Sequence, residues 1–108
     1  MNTLLDKLDG LTARFEEVST LITDPSVIAD QSRYVRLTKE YKELEDLMAA
    51  RKSYANLLGN IDEAKNILIN EPDPDLKEMA REDLAAREEQ LPDMEERIKL
   101  MLVPQDPE

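Results

Sequence analysis

Apolar residues recur along this chain in steps of three and four, the spacing that gathers side chains onto one stripe of an α-helix. The longest run extends from about Asp30 to about Ile69. Tyr34, Leu37, Tyr41, Leu44 and Met48 mark its first half, and Tyr54, Leu57, Ile61, Ala64 and Leu68 its second. The run holds no proline and a single glycine. It therefore predicts a rod of roughly 40 residues, about 60 Å long at 1.5 Å rise per residue, well beyond the usual helix of a globular domain. Between the halves the phase slips by one residue and Arg51 takes a stripe position. Gly59 costs about 1 kcal/mol relative to alanine in a helix interior, so a bend is expected near residues 51–60.

The pattern predicts a second helix over residues 3–22, where Leu4, Leu8, Leu11, Phe15, Val18 and Ile22 form the stripe and Asp6, Lys7, Arg14, Glu16 and Glu17 lie off it. Asn2 or Thr3 is placed to cap its start, and Gly10 weakens it slightly. Asp24-Pro25 ends it, because a residue before proline is pushed out of the helical region. The same two residues suit the N-cap and first position of a short turn, Ser26 to Ile28, before Asp30 caps the rod. So short a corner favours antiparallel neighbours.

Glu71-Pro72-Asp73-Pro74-Asp75 makes the second corner. Asp73 suits an N-cap with Pro74 at the first helical position, and Asp75 and Glu78 bring negative charge to the first turn. A last helix from Asp75 to about Leu102 is expected to bury Leu76, Ala80, Leu84, Leu91, Met94, Ile98 and Met101. Pro92 lies in its path, so the helix either kinks there or restarts; the unbroken apolar phase favours a kink. The sum is an all-α fold, an antiparallel three-helix bundle with a long central helix and a projecting two-helix hairpin. The first helix covers only half of the rod, which leaves Leu57, Leu58, Ile67 and Leu68 short of neighbours. Leu57, Leu58, Leu68, Glu71, Asp73 and Asp75 thus form a candidate partner surface, although a mobile tip or a contact between copies reads equally well.

Composition narrows the chemistry. The 108 residues amount to one domain, or a piece of a larger protein, and with 41% hydrophobic but 4% aromatic residues the core must be aliphatic. There are 14 Lys plus Arg against 25 Asp plus Glu, net −11. Such a surface repels phosphate backbones and anionic membranes, so neither direct nucleic-acid binding nor membrane association is expected, and a basic protein face is the better partner. Arg33, Arg36, Lys39 and Lys42 form one basic cluster. It reads either as a contact for RNA or an acidic partner, or as a solvated face neutralised by the pairs Arg36 with Glu40, Lys39 with Glu43 and Lys42 with Asp46. No cysteine or histidine is present, which removes the thiol nucleophile and the usual general base. No glycine-rich phosphate loop appears, and carboxylates on solvated helices have nothing to raise their pKa. The Glu71–Asp75 cluster lacks the glycine and distal glutamate of a calcium loop. No catalytic residue, cofactor or metal is expected. With no signal peptide or membrane span in the sequence, the cytosol is the default location.

The run Ile28-Ala29-Asp30-Gln31-Ser32-Arg33-Tyr34, followed by Leu37, Lys39-Glu40-Tyr41 and Leu44, resembles the N-terminal domain of bacterial peptide chain release factor 1. Asp62, Ala64, Glu78-Met79-Ala80, Glu82-Asp83-Leu84 and the closing Leu102-Val103-Pro104-Gln105-Asp106-Pro107 fit the same pattern, so the likeness covers essentially the whole chain. Pro92 departs from the uninterrupted last helix of that pattern. The resemblance implies a parent protein that recognises UAA and UAG on the ribosome and triggers hydrolysis of peptidyl-tRNA. In the family a Gly-Gly-Gln loop and a Pro-x-Thr loop of later domains do that work, and neither motif occurs here. For this domain it implies contact with the stalk base of the large subunit and a role alongside the GTPase release factor. Residues 1–102 would then be the helical domain and 103–108 the start of a proline-rich linker, as in a piece of something longer. A generic coiled-coil adaptor or dimerisation module is the alternative.

Overall fold

The computed structural model describes residues 2–103, and they form five helices. These are α1 Thr3–Asp9, α2 Thr12–Leu21, α3 Pro25–Ala29, α4 Gln31–Asn70 and α5 Pro74–Leu102. The fold is all-α, built on one long central helix as the periodicity predicts, and no helix among the described residues is long and apolar enough to cross a membrane. Two compact units share α4: Met1–Arg51 and Lys52–Glu108.

Side-chain caps set the helix starts. Asn2 accepts the Leu5 N–H at 2.9 Å, and Asp24 accepts the Ser26 N–H at 2.9 Å with Pro25 at the first position of α3. Asp30 closes α3 by donating its N–H to the Val27 carbonyl at 3.0 Å. It also opens α4, its carboxylate accepting the Arg33 N–H at 3.2 Å. The helix then runs unbroken through residues 51–60.

The helix expected over residues 3–22 is two helices. The Leu11 N–H reaches back three residues to the Leu8 carbonyl at 3.1 Å, a tighter turn than the α-helix makes, and Leu11 offers no side-chain cap to α2. The physical cause is Gly10, which resists a fixed helical conformation more than any other residue except proline. Gly10 and Leu11 nevertheless stay in the right-handed region. The stripe accordingly survives, with Leu8 and Val18 fully buried on either side of the break.

Within the first unit, α1 and α2 run antiparallel to α4. Asp9 pairs with Arg51, Thr12 meets Met48, and Phe15 stacks on Tyr41 with ring centroids 5.4 Å apart, so rising numbers on one side meet falling numbers on the other. The Asp9 contact explains a cation at a stripe position: Arg51 is half-buried there with its charge paired to Asp9. Leu37, Leu44 and Leu47 are buried on α4. Leu47 lies outside the expected stripe, at the point where the phase slips. The expected local pairs of Arg36, Lys39 and Lys42 are not formed. Glu40 turns instead to Arg14 of α2.

In the second unit, the rest of α4 and α5 form an antiparallel hairpin closed by Glu71–Asp73. Tyr54, Leu57, Ile61, Ala64, Ala80 and Ile98 are buried. The Tyr54 hydroxyl donates to a Glu95 carboxylate oxygen at 2.6 Å. Pro92 lies inside an unbroken α5, so the helix does not restart there. Pro92 and Glu88 are both exposed, so the carbonyl that loses its amide partner lies on the solvated side. Residues 104–108 of the expected linker lie outside the described residues.

Candidate partner-binding surface

The corner of the hairpin is built from its own side chains. The Glu71 N–H donates to the Ile67 carbonyl at 2.9 Å, finishing α4. A Glu71 carboxylate oxygen accepts the Asp73 N–H at 3.2 Å, and Asp73 accepts the Asp75 N–H at 2.9 Å as N-cap of α5. Pro74 stands at the first position, where its missing N–H costs nothing. Glu71 and Asp73 therefore hold the turn, while Asp75 is free to present charge in the first turn of α5.

Beside this acidic corner, large apolar side chains stand in solvent. Ile69 is 78% exposed, Met79 65%, Leu76 45% and Ile67 37%. An antiparallel hairpin puts the end of α4 and the start of α5 at the same place, so these four residues bracket the turn from both sides. Exposed apolar side chains grouped in this way mark an interaction surface more often than scattered ones do.

The candidate residues divide. Leu57 is 4% exposed, buried on its own helix, and it offers no surface. Leu58 and Leu68 are half-buried, as is Glu71, and Asp73 and Asp75 are exposed. Leu76, expected on the buried side of α5, is exposed because it lies in the first turn, where α4 has just ended. Periodicity does not mark Ile69 and Met79, because neither falls on its helix's stripe. Their signal was their position within a few residues of the proline corner.

A small cavity of about 170 Å³ adjoins the patch, with Ile67 common to both. Its walls carry Glu63 and Asp83, and Asp83 is held by Arg87 on the next turn at 3.0 Å. The whole arrangement offers apolar contact area rimmed by carboxylates, the make-up of a docking surface.

The model of the PCRF domain matches residues 11–108. Among curated proteins, the chain is 69% identical over 107 residues to the peptide chain release factor 1 of Bacteroides thetaiotaomicron, covering 99% of this chain and 29% of that protein. It is 46% identical over 105 residues to that of Flavobacterium psychrophilum, 97% and 29% of the two lengths. It is 39% identical over 107 residues to that of Lacticaseibacillus casei, 99% and 30%. The chain thus spans under a third of the length of these relatives. No solved structure matches.

Proposed function

The chain belongs to the PCRF domain family, and from that premise we propose that it is the N-terminal accessory domain of a class I peptide chain release factor acting in translation termination. Stop-codon recognition of UAA and UAG and hydrolysis of peptidyl-tRNA belong to regions outside these residues. The work of this domain is to reach outward to the stalk base of the large ribosomal subunit, in concert with the GTPase release factor. The cytoplasm is where this takes place.

One observation carries the docking reading: Ile69, Leu76 and Met79 are exposed around an acidic corner. A partner that buries these side chains gains about 25 cal/mol for each Å² of apolar surface removed from water. The chain's charge of −11 selects a basic protein face over an RNA backbone. The alternative, a dimerisation module using the Tyr54–Leu68 face, loses most of its surface, since Tyr54, Leu57, Ile61 and Ala64 are already buried within one chain. The test is binding of the 108-residue chain to intact large subunits and to subunits stripped of the stalk base. Retention by intact subunits only is expected; equal binding to both rejects the assignment.

A further inference from the structure

A second cavity, of about 520 Å³, lies in the first unit between α2 and the first three turns of α4. Its volume falls in the range of about 300–1,000 Å³ typical of ligand sites. Three guanidinium groups line it, those of Arg14, Arg33 and Arg36, in a chain where acids far outnumber bases.

The three are not equivalent. Arg14 is spent within the cavity: its Nε and Nη2 donate to the two carboxylate oxygens of Glu40 at 2.6 and 2.7 Å, and its Nη1 donates to Glu17 at 2.6 Å. Arg33 and Arg36 make no ion pair among the described residues, although Arg33 attracts the Asp24 carboxylate from a longer distance. They lie three apart on α4, so their side chains are neighbours on one helix face. Lys39 and Lys42, the rest of the basic cluster seen in the sequence, do not line the cavity. Leu21 and Leu37 add apolar wall between the charges.

Charge counting selects the ligand. At the cavity walls three guanidinium groups stand against two carboxylates, and with Asp24 outside the lining drawing partly on Arg33, the positive charge left over is no more than a single carboxylate neutralises. A phosphomonoester brings a second negative charge beside Glu17 and Glu40, and an RNA strand brings a row of them against the acidic remainder of the chain. The Arg14–Glu40 pair shows that this cavity already accommodates the parallel two-bond geometry in which arginine holds carboxylate.

We propose that this cleft docks an acidic peptide segment of a partner protein, Arg33 and Arg36 taking an Asp or Glu side chain while Leu21 and Leu37 receive an adjacent aliphatic one. The site is separate from the hairpin corner and does not depend on the stalk reading.

The experiment is an NMR titration of the 15N-labelled 108-residue chain with the blocked peptide Ala-Leu-Glu-Leu-Ala and with its Glu-to-Gln counterpart. Amide shifts centred on Leu21, Arg33, Arg36 and Leu37 are expected, with about tenfold weaker binding of the Gln peptide, as for one lost charge-assisted hydrogen bond. The R33Q/R36Q double variant should lose binding by at least that factor while melting as the parent does, since both side chains are exposed. K39Q should bind as the parent. Equal affinity for the two peptides, unchanged binding by R33Q/R36Q, or no shift at these residues at the highest soluble peptide concentration overturns the proposal. Tighter binding of AMP or of a short single-stranded RNA at the same residues overturns it in favour of a phosphate site.

Discussion

Arg14 and Glu40, separated by 26 residues in sequence, lock α2 to α4 through two parallel hydrogen bonds of 2.6 and 2.7 Å. The arginine is a clamp rather than a surface ornament, because the same guanidinium also holds Glu17 on its own helix. Hydrogen bonding from Arg14, aided by its charge, holds the Glu40 carboxyl below the ordinary glutamate range against a smaller opposing effect of burial.

The pH dependence of the clamp follows from that direction. A carboxylate whose folded-state pKa is depressed stabilises the fold above its unfolded value, about 4.3, and loses that contribution as the pH falls through the folded value. E40Q should therefore be less stable than the parent at neutral pH, and the gap should close on acidification below about pH 4. Urea midpoints of the two proteins between neutral and acidic pH measure this. A gap that is constant across the range would show that Glu40 acts through packing, not charge.

Much of the fold is legible in the sequence because some residues have few alternatives. Asp24-Pro25 and Asp73-Pro74 each offer an N-cap followed by a residue suited to the first helical position, and both corners form as those dipeptides dictate. The stripe from Tyr34 to Leu68 marks the buried face of α4. Interactions across helices are less legible. Glu40 looks from sequence like a local partner of Arg36, and only the register of α2 on α4 gives it to Arg14. The break at Gly10 is similar, because a single hydrogen bond reaching three residues back leaves no trace in the apolar spacing. At the hairpin corner, periodicity shows which face is buried but not where the opposing helix ends, so Leu76 falls on the expected buried face and yet stands in solvent.

Tyr54 is the largest fully buried side chain, and its hydroxyl meets Glu95 at 2.6 Å. Y54F keeps the ring and loses the hydrogen bond, at an expected cost of about 1–2 kcal/mol. Y54A also opens a cavity and should cost about 3–5 kcal/mol. Chemical denaturation orders the two. A Y54F loss as large as that of Y54A would mean that the hydroxyl, not the ring, anchors this position.

Gly59 stands in mid-helix on the exposed side of α4, and a Cβ built there meets nothing within 4 Å. G59A should therefore stabilise the chain by about 1 kcal/mol, since alanine gains the helix propensity that glycine lacks and has nothing to displace. A raised melting temperature with an unchanged circular dichroism spectrum checks it. Destabilisation would mean that α4 needs glycine's freedom at this point, as it would if the helix were sharply bent there.

The hairpin corner separates binding from stability. Ile69 and Met79 are 78% and 65% exposed, so I69D and M79D remove little that the folded chain uses. Their melting points should stay close to that of the parent, because surface substitutions away from the core usually change stability by no more than about 0.5 kcal/mol. Binding to large subunits should nevertheless fall steeply, because each substitution puts an unpaired charge into a contact that must exclude water. D73N is the companion variant: asparagine caps a helix about as well as aspartate, so it preserves the turn while removing one negative charge. Loss of binding in I69D and M79D, with D73N weakened mainly at low salt, identifies apolar contact as the source of affinity and charge as the guide to the encounter. Full binding by both apolar variants would move the docking surface away from this corner.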